Sequence, residues 1–171
     1  AVMYNNLVPA VVTALRPSAE LKSIRFNVDF SGGEKTSLWC DRLKIQKIAL
    51  NLISNAIKYT PEGGEVKIGF NPIANDDPFI GYCLTVEDTG IGMSDQFMQC
   101  MYEPFAQEKR SEAVKVPGTG LGLAIVKRYV DIMGGTISVE SHIHKGTLFE
   151  VKLPVREVCD IQAHTQERAK M

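Results

Sequence analysis

The chain has almost no net charge: 19 Lys and Arg against 20 Asp and Glu leave −1 at pH 7. It therefore lacks the basic excess that a nucleic-acid-binding surface needs. No apolar run reaches the roughly 18 residues of a membrane span, and no signal-peptide pattern opens the chain. The expectation is a cytoplasmic domain that is not itself membrane-inserted, whether or not a parent protein is anchored elsewhere. Cysteines are few and scattered. Cys40, Cys83, Cys100 and Cys159 form no C-x-x-C and have no His pair nearby, which argues against zinc and, in a reducing cytosol, against disulfides. His142, His144 and His164 have no ligand-like spacing and read as surface residues. With 44% hydrophobic and 23% charged residues, 171 residues suit one soluble domain that buries a core without covalent staples.

The stretch that carries most information is Asp41 to Pro61. Ile45, Ile48, Ala49, Leu52, Ala56 and Ile57 recur at the spacing of an amphipathic helix laid on a core. Asp41 suits the N-cap, and Thr60-Pro61 suits the stop. On the other face Asn51, Asn55, Lys58 and Tyr59 fall within an arc of roughly 100° at the helical period. Asn costs about 0.5 kcal/mol or more at an interior helix site relative to Ala, so two carboxamides one turn apart call for a reason. Carboxamide oxygens are hard ligands suited to Mg²⁺, Lys58 can meet a phosphate, and Tyr59 can lie against a flat ring. The bland alternative is an ordinary solvated face.

Elsewhere the pattern alternates between helix and strand. Tyr4 to Leu21 reads as a helix with Leu7, Val8, Val11, Val12 and Leu15 on one face and a kink at Pro17. Ile24 to Phe30 reads as a half-buried strand that turns at Ser31-Gly32-Gly33 and returns as Ser37 to Cys40. Strands follow at Glu65 to Asn71 and Ile80 to Asp88, with a surface loop from Pro72 to Pro78 between them. A short helix from Ser94 to Met101, capped by Ser94, ends at Tyr102-Glu103-Pro104-Phe105. Ala106 to Pro117 is charged and aperiodic, the character of a lid or binding segment. A helix to about Met133, a stop at Gly134-Gly135, and strands Thr136 to Ser141 and Thr147 to Leu153 complete a sheet of about five strands. The expected domain is residues 1–154, with 155–171 a polar linker or disordered tail.

Two glycine motifs punctuate this order. Asp88-Thr89-Gly90-Ile91-Gly92 follows a strand directly. Its glycines allow close backbone approach, and Asp88 can accept a hydrogen bond from an exocyclic amine such as that of adenine. The alternative is an Asx turn in which Asp88 bonds its own backbone. Gly118-Thr119-Gly120-Leu121-Gly122-Leu123 opens a helix, where converging N–H groups and the helix dipole favour an anion. It lacks the terminal G-K-[ST] of a Walker loop and follows a lid-like loop, whereas a dinucleotide fingerprint would follow a strand.

In order and spacing, Asn51-x-x-x-Asn55-x-x-Lys58-Tyr59, Asp88-x-Gly90-x-Gly92, Glu103-Pro104-Phe105 and Gly118-x-Gly120-x-Gly122 resemble the N, G1, F and G2 boxes of sensor histidine kinases. Gly134-Gly135-Thr136 and Gly146-Thr147-x-Phe149 extend the resemblance, which runs from about Leu15 to Leu153. It implies the Bergerat-type ATP-binding fold shared with gyrase-type, chaperone and mismatch-repair ATPases: an α/β two-layer sandwich of a mixed, mostly antiparallel sheet of about five strands under about three helices. It further implies that ATP and Mg²⁺ bind, with Asn55 as metal ligand and Asn51 beside it. Lys58 would approach the phosphates, Tyr59 the purine, and Asp88 the adenine amine with support from Thr147. Gly118 to Leu123 would hold phosphates through the backbone, and Phe105 would brace the lid. Lys109, Arg110 or Lys115 would add charge from the lid.

The family's phosphoacceptor, a His followed by Glu on a dimerising helix, is absent. The implied partners are therefore a separate dimerisation domain of the same protein, which carries that histidine, and a downstream response-regulator receiver. No catalytic base is identified in the chain itself. Ala106-Gln107 stands where many members carry a basic residue, as in the variant common among hybrid kinases, and His144 stands where the hairpin often has Gly, a difference expected to be cosmetic. Three rivals remain: an ATP hydrolase, a serine protein kinase of the same fold, and a degenerate docking module. Against the hydrolase, Asn51 occupies the position where those relatives place a water-activating Glu, and a carboxamide is a poor base.

Overall fold

In Tyr82–Asp88 (β5), Tyr82, Leu84 and Val86 are buried while the residues between them face outward, the period-2 pattern of a strand with one wet face. This strand is the centre of the domain. In the computed structural model, which describes residues 2–4, 6–30, 38–73, 81–108 and 118–157, it pairs on one side with Glu65–Pro72 (β4) and on the other with Gly146–Leu153 (β7). Thr136–His142 (β6) closes one edge against β7. Arg25–Asp29 (β2) closes the other edge, parallel to β4. The order β2-β4-β5-β7-β6 gives the expected mixed, mostly antiparallel five-stranded sheet.

One face of this sheet is covered by helices Leu7–Leu21 (α1), Arg42–Tyr59 (α2) and Gly122–Ile132 (α4). A single-turn helix, Asp95–Met98 (α3), has Ser94 as its N-cap, shorter than the sequence suggests. The middle helix α2 packs against both α1 and α4 as well as on β5. Its Ile45, Ile48, Ala49, Leu52 and Ile53 are almost wholly inaccessible. Burying an aliphatic side chain of this kind contributes about 1.5–3 kcal/mol. Asp41 caps the helix, accepting from Lys44 N–H at 3.2 Å, and Thr60 ends it.

The chain departs from the sequence reading at four places. Helix α1 begins at Leu7, because Val2–Tyr4 forms a strand (β1) and Asn6 turns the chain at φ 78°. Pro17 lies inside α1, which continues to Leu21. Leu38–Cys40 (β3) does not return along β2. It pairs with β1 and with Arg156–Glu157 (β8) in a separate three-stranded sheet. Val155 is buried, so the fold runs past the boundary expected after residue 154. The turn at 31–33, the loop at 74–78, most of the lid-like segment (109–117) and the tail from 158 onward lie outside the described residues. His144 adopts φ 63°. Glycine reaches this left-handed region without steric penalty, so the difference expected to be cosmetic carries a backbone consequence.

The end of α2 is fixed by a charge from another helix. Lys22, the C-cap of α1, donates through Nζ to the carbonyls of Ile57 (2.7 Å), Lys58 (3.1 Å) and Thr60 (2.6 Å). A helix C-terminus exposes carbonyls without intrahelical partners and carries the negative end of the dipole, so an ammonium there serves both needs. Lys22→Met keeps the stem but strands these carbonyls. It should destabilise the domain by about 1–3 kcal/mol, read as a lowered urea midpoint; an unchanged midpoint would show that water caps α2 equally well.

Candidate functional site

A cavity of about 820 Å³ opens between the polar face of α2, the start of α4 and the ends of β5 and β7. It gathers residues from all four sequence motifs or their immediate neighbours. Asn51, Asn55, Lys58 and Tyr59 line it from α2, Asp88 and Gly92 from the end of β5, and Thr147 from β7. Gly118, Thr119, Gly120, Gly122 and Leu123 line it from the approach to α4.

Four expected residues do not line the cavity, and each acts through its backbone. Gly90 N–H donates to Asp88 Oδ1 at 2.8 Å. Ile91 N–H donates to the Tyr59 carbonyl at 3.2 Å, and its own carbonyl accepts from His144 N–H at 2.9 Å. Phe105 leaves its ring 72% exposed, while its N–H donates to the Gly120 carbonyl at 3.0 Å. Leu121 is the N-cap residue of α4.

At the α4 end, positive character converges with oxygen ligands. The glycine-rich run does not itself form helix: residues 118–121 are irregular and the helix starts at Gly122. Gly120 takes φ 71°, and a Cβ there would fall 2.7 Å from the Phe105 backbone. The α4 N-terminus has no side-chain cap and no acidic residue in its first turn, so its dipole and free N–H groups face the cavity uncompensated. A Cβ on Gly122 would lie 2.9 Å from Asn51 Oδ1, so α2 and α4 approach this closely only because that position is glycine. Asn51 Nδ2 donates to the Lys47 carbonyl at 2.8 Å, which turns its oxygen toward α4. Asn55 makes no side-chain hydrogen bond to any described residue. Lys58 Nζ lies beside Gly118 and 5.1 Å from the centre of the Tyr59 ring.

At the other end sits a carboxylate in a largely dry setting. Asp88 has its pKa raised to about 6, first by burial; hydrogen bonds from the Gly90 and Thr147 backbone N–H groups oppose the rise, and the Glu87 charge adds to it. The Asx turn considered from the sequence is present, yet it occupies one oxygen while the group still lines the cavity. Thr147 is its register partner across β5 and β7.

Sequence reasoning missed the apolar walls between these two ends, formed by Met93, Phe97, Met101, Leu123 and Phe149. Only Leu123 and Phe149 stood inside recognised motifs. It also missed Gln107, whose side chain donates to the Gly118 carbonyl, and Glu108, which accepts from Ser94 N–H at 2.9 Å. With the bond from Phe105 to Gly120, Gln107 ties together the two described ends of the lid-like segment. Lys109, Arg110 and Lys115 lie outside the described residues. An apolar slot with a buried acceptor at one end, and amides, an ammonium and a bare helix N-terminus at the other, suits a flat amine-bearing ring joined to a polyanion.

Known proteins resemble the chain in the same sense. The family described as histidine kinase-, DNA gyrase B-, and HSP90-like ATPase matches residues 40–157. Over 120 residues the chain is 39% identical to hybrid signal transduction histidine kinase A of Dictyostelium discoideum, covering 67% of this chain and 6% of that protein. The chain thus spans a small part of the curated relative it matches. Mycobacterial sensor histidine kinase MprB superposes with a TM-score of 0.71 at 29% identity, covering 92% of this chain and 97% of that one. Full-length ShkA, solved in complex with AMPPNP, superposes at 0.74 with 27% identity over 91% of this chain and 32% of that one. The chain therefore belongs to the histidine kinase-, DNA gyrase B- and HSP90-like ATPase family, as a catalytic ATP-binding domain of its sensor histidine kinase branch.

Proposed function

We propose that this domain binds MgATP in the cavity described above and supplies the γ-phosphoryl group to a histidine on a separate dimerisation domain of the same protein. A response-regulator receiver then takes the phosphoryl group onward. The observation that carries this reading is the polarity of one cavity: Asp88 and Thr147 at one end, and Asn51, Asn55, Lys58 and the uncapped α4 N-terminus at the other. The parent protein is read as acting in the cytoplasm; among the described residues no helix is long and apolar enough to cross a membrane.

Each residue has a definite task. Asp88 accepts from the adenine amine, and the apolar walls hold the ring. The N–H groups at the start of α4 and the Lys58 ammonium neutralise phosphate oxygens. Among the described residues no group of three or more His, Cys, Asp and Glu forms a metal cage. Mg²⁺ characteristically keeps several water and phosphate oxygens and takes few protein ligands, so the unengaged carboxamide of Asn55 fits it as a single protein ligand. The ion supplies charge neutralisation and a fixed phosphate geometry. In the transfer, the bond from the γ-phosphorus to its bridging oxygen breaks as a bond to the histidine nitrogen forms, and ADP leaves. Catalysis from this chain is positioning and electrostatics. The hydrolase alternative requires a base at Asn51, whose carboxamide already bonds its own helix.

Asp88 yields a paired prediction. Its folded pKa lies above the ordinary carboxylate value of 3.8, at about 6. The folded state therefore binds the proton more tightly, stability falls as pH rises from about 4 to 6, and the penalty is fully present above that range. Asp88→Asn should raise stability at pH 7.5 by roughly 1–2 kcal/mol while weakening ATP binding at least tenfold. Calorimetric melting and nucleotide titration would read the two effects. In the unsubstituted protein, ATP affinity should drop as pH falls through about 6, and the variant should lose that dependence. For Asn55→Ala, MgATP affinity should fall about tenfold and the Mg²⁺ dependence of transfer to an added phosphoacceptor domain should vanish, with metal-free ATP binding retained. Persistent Mg²⁺-dependent transfer in that variant would assign the ion to another ligand.

A further inference from the structure

Ser141, on β6, is 3% exposed and does not line the cavity. Its hydroxyl nevertheless touches three groups that shape the cavity's acidic end. It accepts from Met93 N–H at 2.9 Å, donates to the Gly146 carbonyl at 3.0 Å, and lies 2.8 Å from Thr147 Oγ1. A serine hydroxyl has one proton and two lone pairs. An amide N–H can only donate and a carbonyl can only accept, so two of the three contacts have fixed roles. The proton goes to Gly146, one lone pair meets Met93, and the other is left for Thr147. Thr147 must then donate to Ser141. In a buried network this arrangement leaves no polar atom unmatched, whereas reversing the Ser141 proton would set two oxygens lone pair to lone pair.

The consequence falls on Thr147, which does line the cavity beside its register partner Asp88. With its proton committed to Ser141, Thr147 Oγ1 turns only lone pairs toward a ligand. We propose that Ser141 is a positioning residue that sets the polarity of the Thr147 hydroxyl. It makes the base-binding end of the cavity acceptor-only, and so selects purines with an amine at position 6 over those with a carbonyl there. This rests on the nucleotide reading above and names the base specificity of the same site. A carbonyl at position 6 would face the Asp88 carboxylate and the Thr147 lone pairs with no donor between them, and an unpaired buried polar group discriminates strongly.

Removing the serine hydroxyl frees the Thr147 proton to turn into the cavity. The test is titration of the 171-residue chain with Mg²⁺ and either ATP or ITP, comparing the unsubstituted protein, Ser141→Ala, Thr147→Val and the double variant. The unsubstituted protein should prefer ATP. Ser141→Ala should narrow the ATP-to-ITP affinity ratio about tenfold, largely by improving ITP binding, which a general loosening of the fold would not do. Thr147→Val, close in shape to threonine, should narrow the ratio too, and the double variant should add little, since both act through one hydroxyl. A ratio unchanged in Ser141→Ala, or unchanged in Thr147→Val if the alanine variant does not fold, overturns the role of Ser141 while leaving nucleotide binding intact. Failure of the unsubstituted protein to bind ATP at all overturns the nucleotide reading itself.

Discussion

Helix α2 has to serve as core and as site wall at once, and the rest of the structure accommodates that double duty. Its apolar side is buried against the sheet and against α1 and α4. A helix presents its residues around the full circle, so fixing the apolar side on the sheet fixes where Asn51, Asn55, Lys58 and Tyr59 point. Burial supplies the energy and the polar side receives the geometry. The rotation and axial position of α2 are then held at both ends, by the Asp41 cap at its start and by the Lys22 ammonium on its last carbonyls. The latter joins α1 to the turn of α2 that carries Lys58 and Tyr59, so the scaffold helix and the site are mechanically one unit.

The acidic end of the cavity shows the opposite relation between stability and function. Asp88 is held in a setting that disfavours its charge, with two backbone N–H groups offsetting only part of the desolvation. A fold selected for stability alone would place a neutral group there. A carboxylate kept short of hydrogen-bond donors is, however, the partner that a ligand amine satisfies best, and the unfavourable term in the free protein becomes selectivity in the complex. Ser141 extends the same logic one layer deeper, because the direction of a single buried proton decides what the neighbouring hydroxyl can offer.

Much of the fold and of the site is legible in the sequence for a specific reason: the signals involved are local. The spacing from Ile45 to Ile57 and the Asp41 cap give α2, and the alternation in β5 and β7 gives the central strands. Signals that depend on distant partners are not legible. Leu38–Cys40 looks like the return arm of a hairpin, yet its partners are Val2–Tyr4 and Arg156–Glu157, from the two ends of the described chain. No local pattern distinguishes one three-residue partner from another. Met93, Phe97 and Met101 carry ordinary core chemistry, and only their placement turns them into the walls of a slot.

The sequence by itself determined which chemistry was present, because residue type and spacing along one helix or at one strand end are properties of the chain alone: two carboxamides and an ammonium on one face, an acid after a strand, glycines before a helix. Only the tertiary structure decided that these meet in one cavity, that four of the expected residues contribute backbone where side chains were expected, and that Gln107, Glu108 and Ser141 belong to the assembly. Those facts depend on how the sheet brings β5 beside β7 and on how closely α4 approaches α2. Both are set by long-range packing, which local periodicity does not encode.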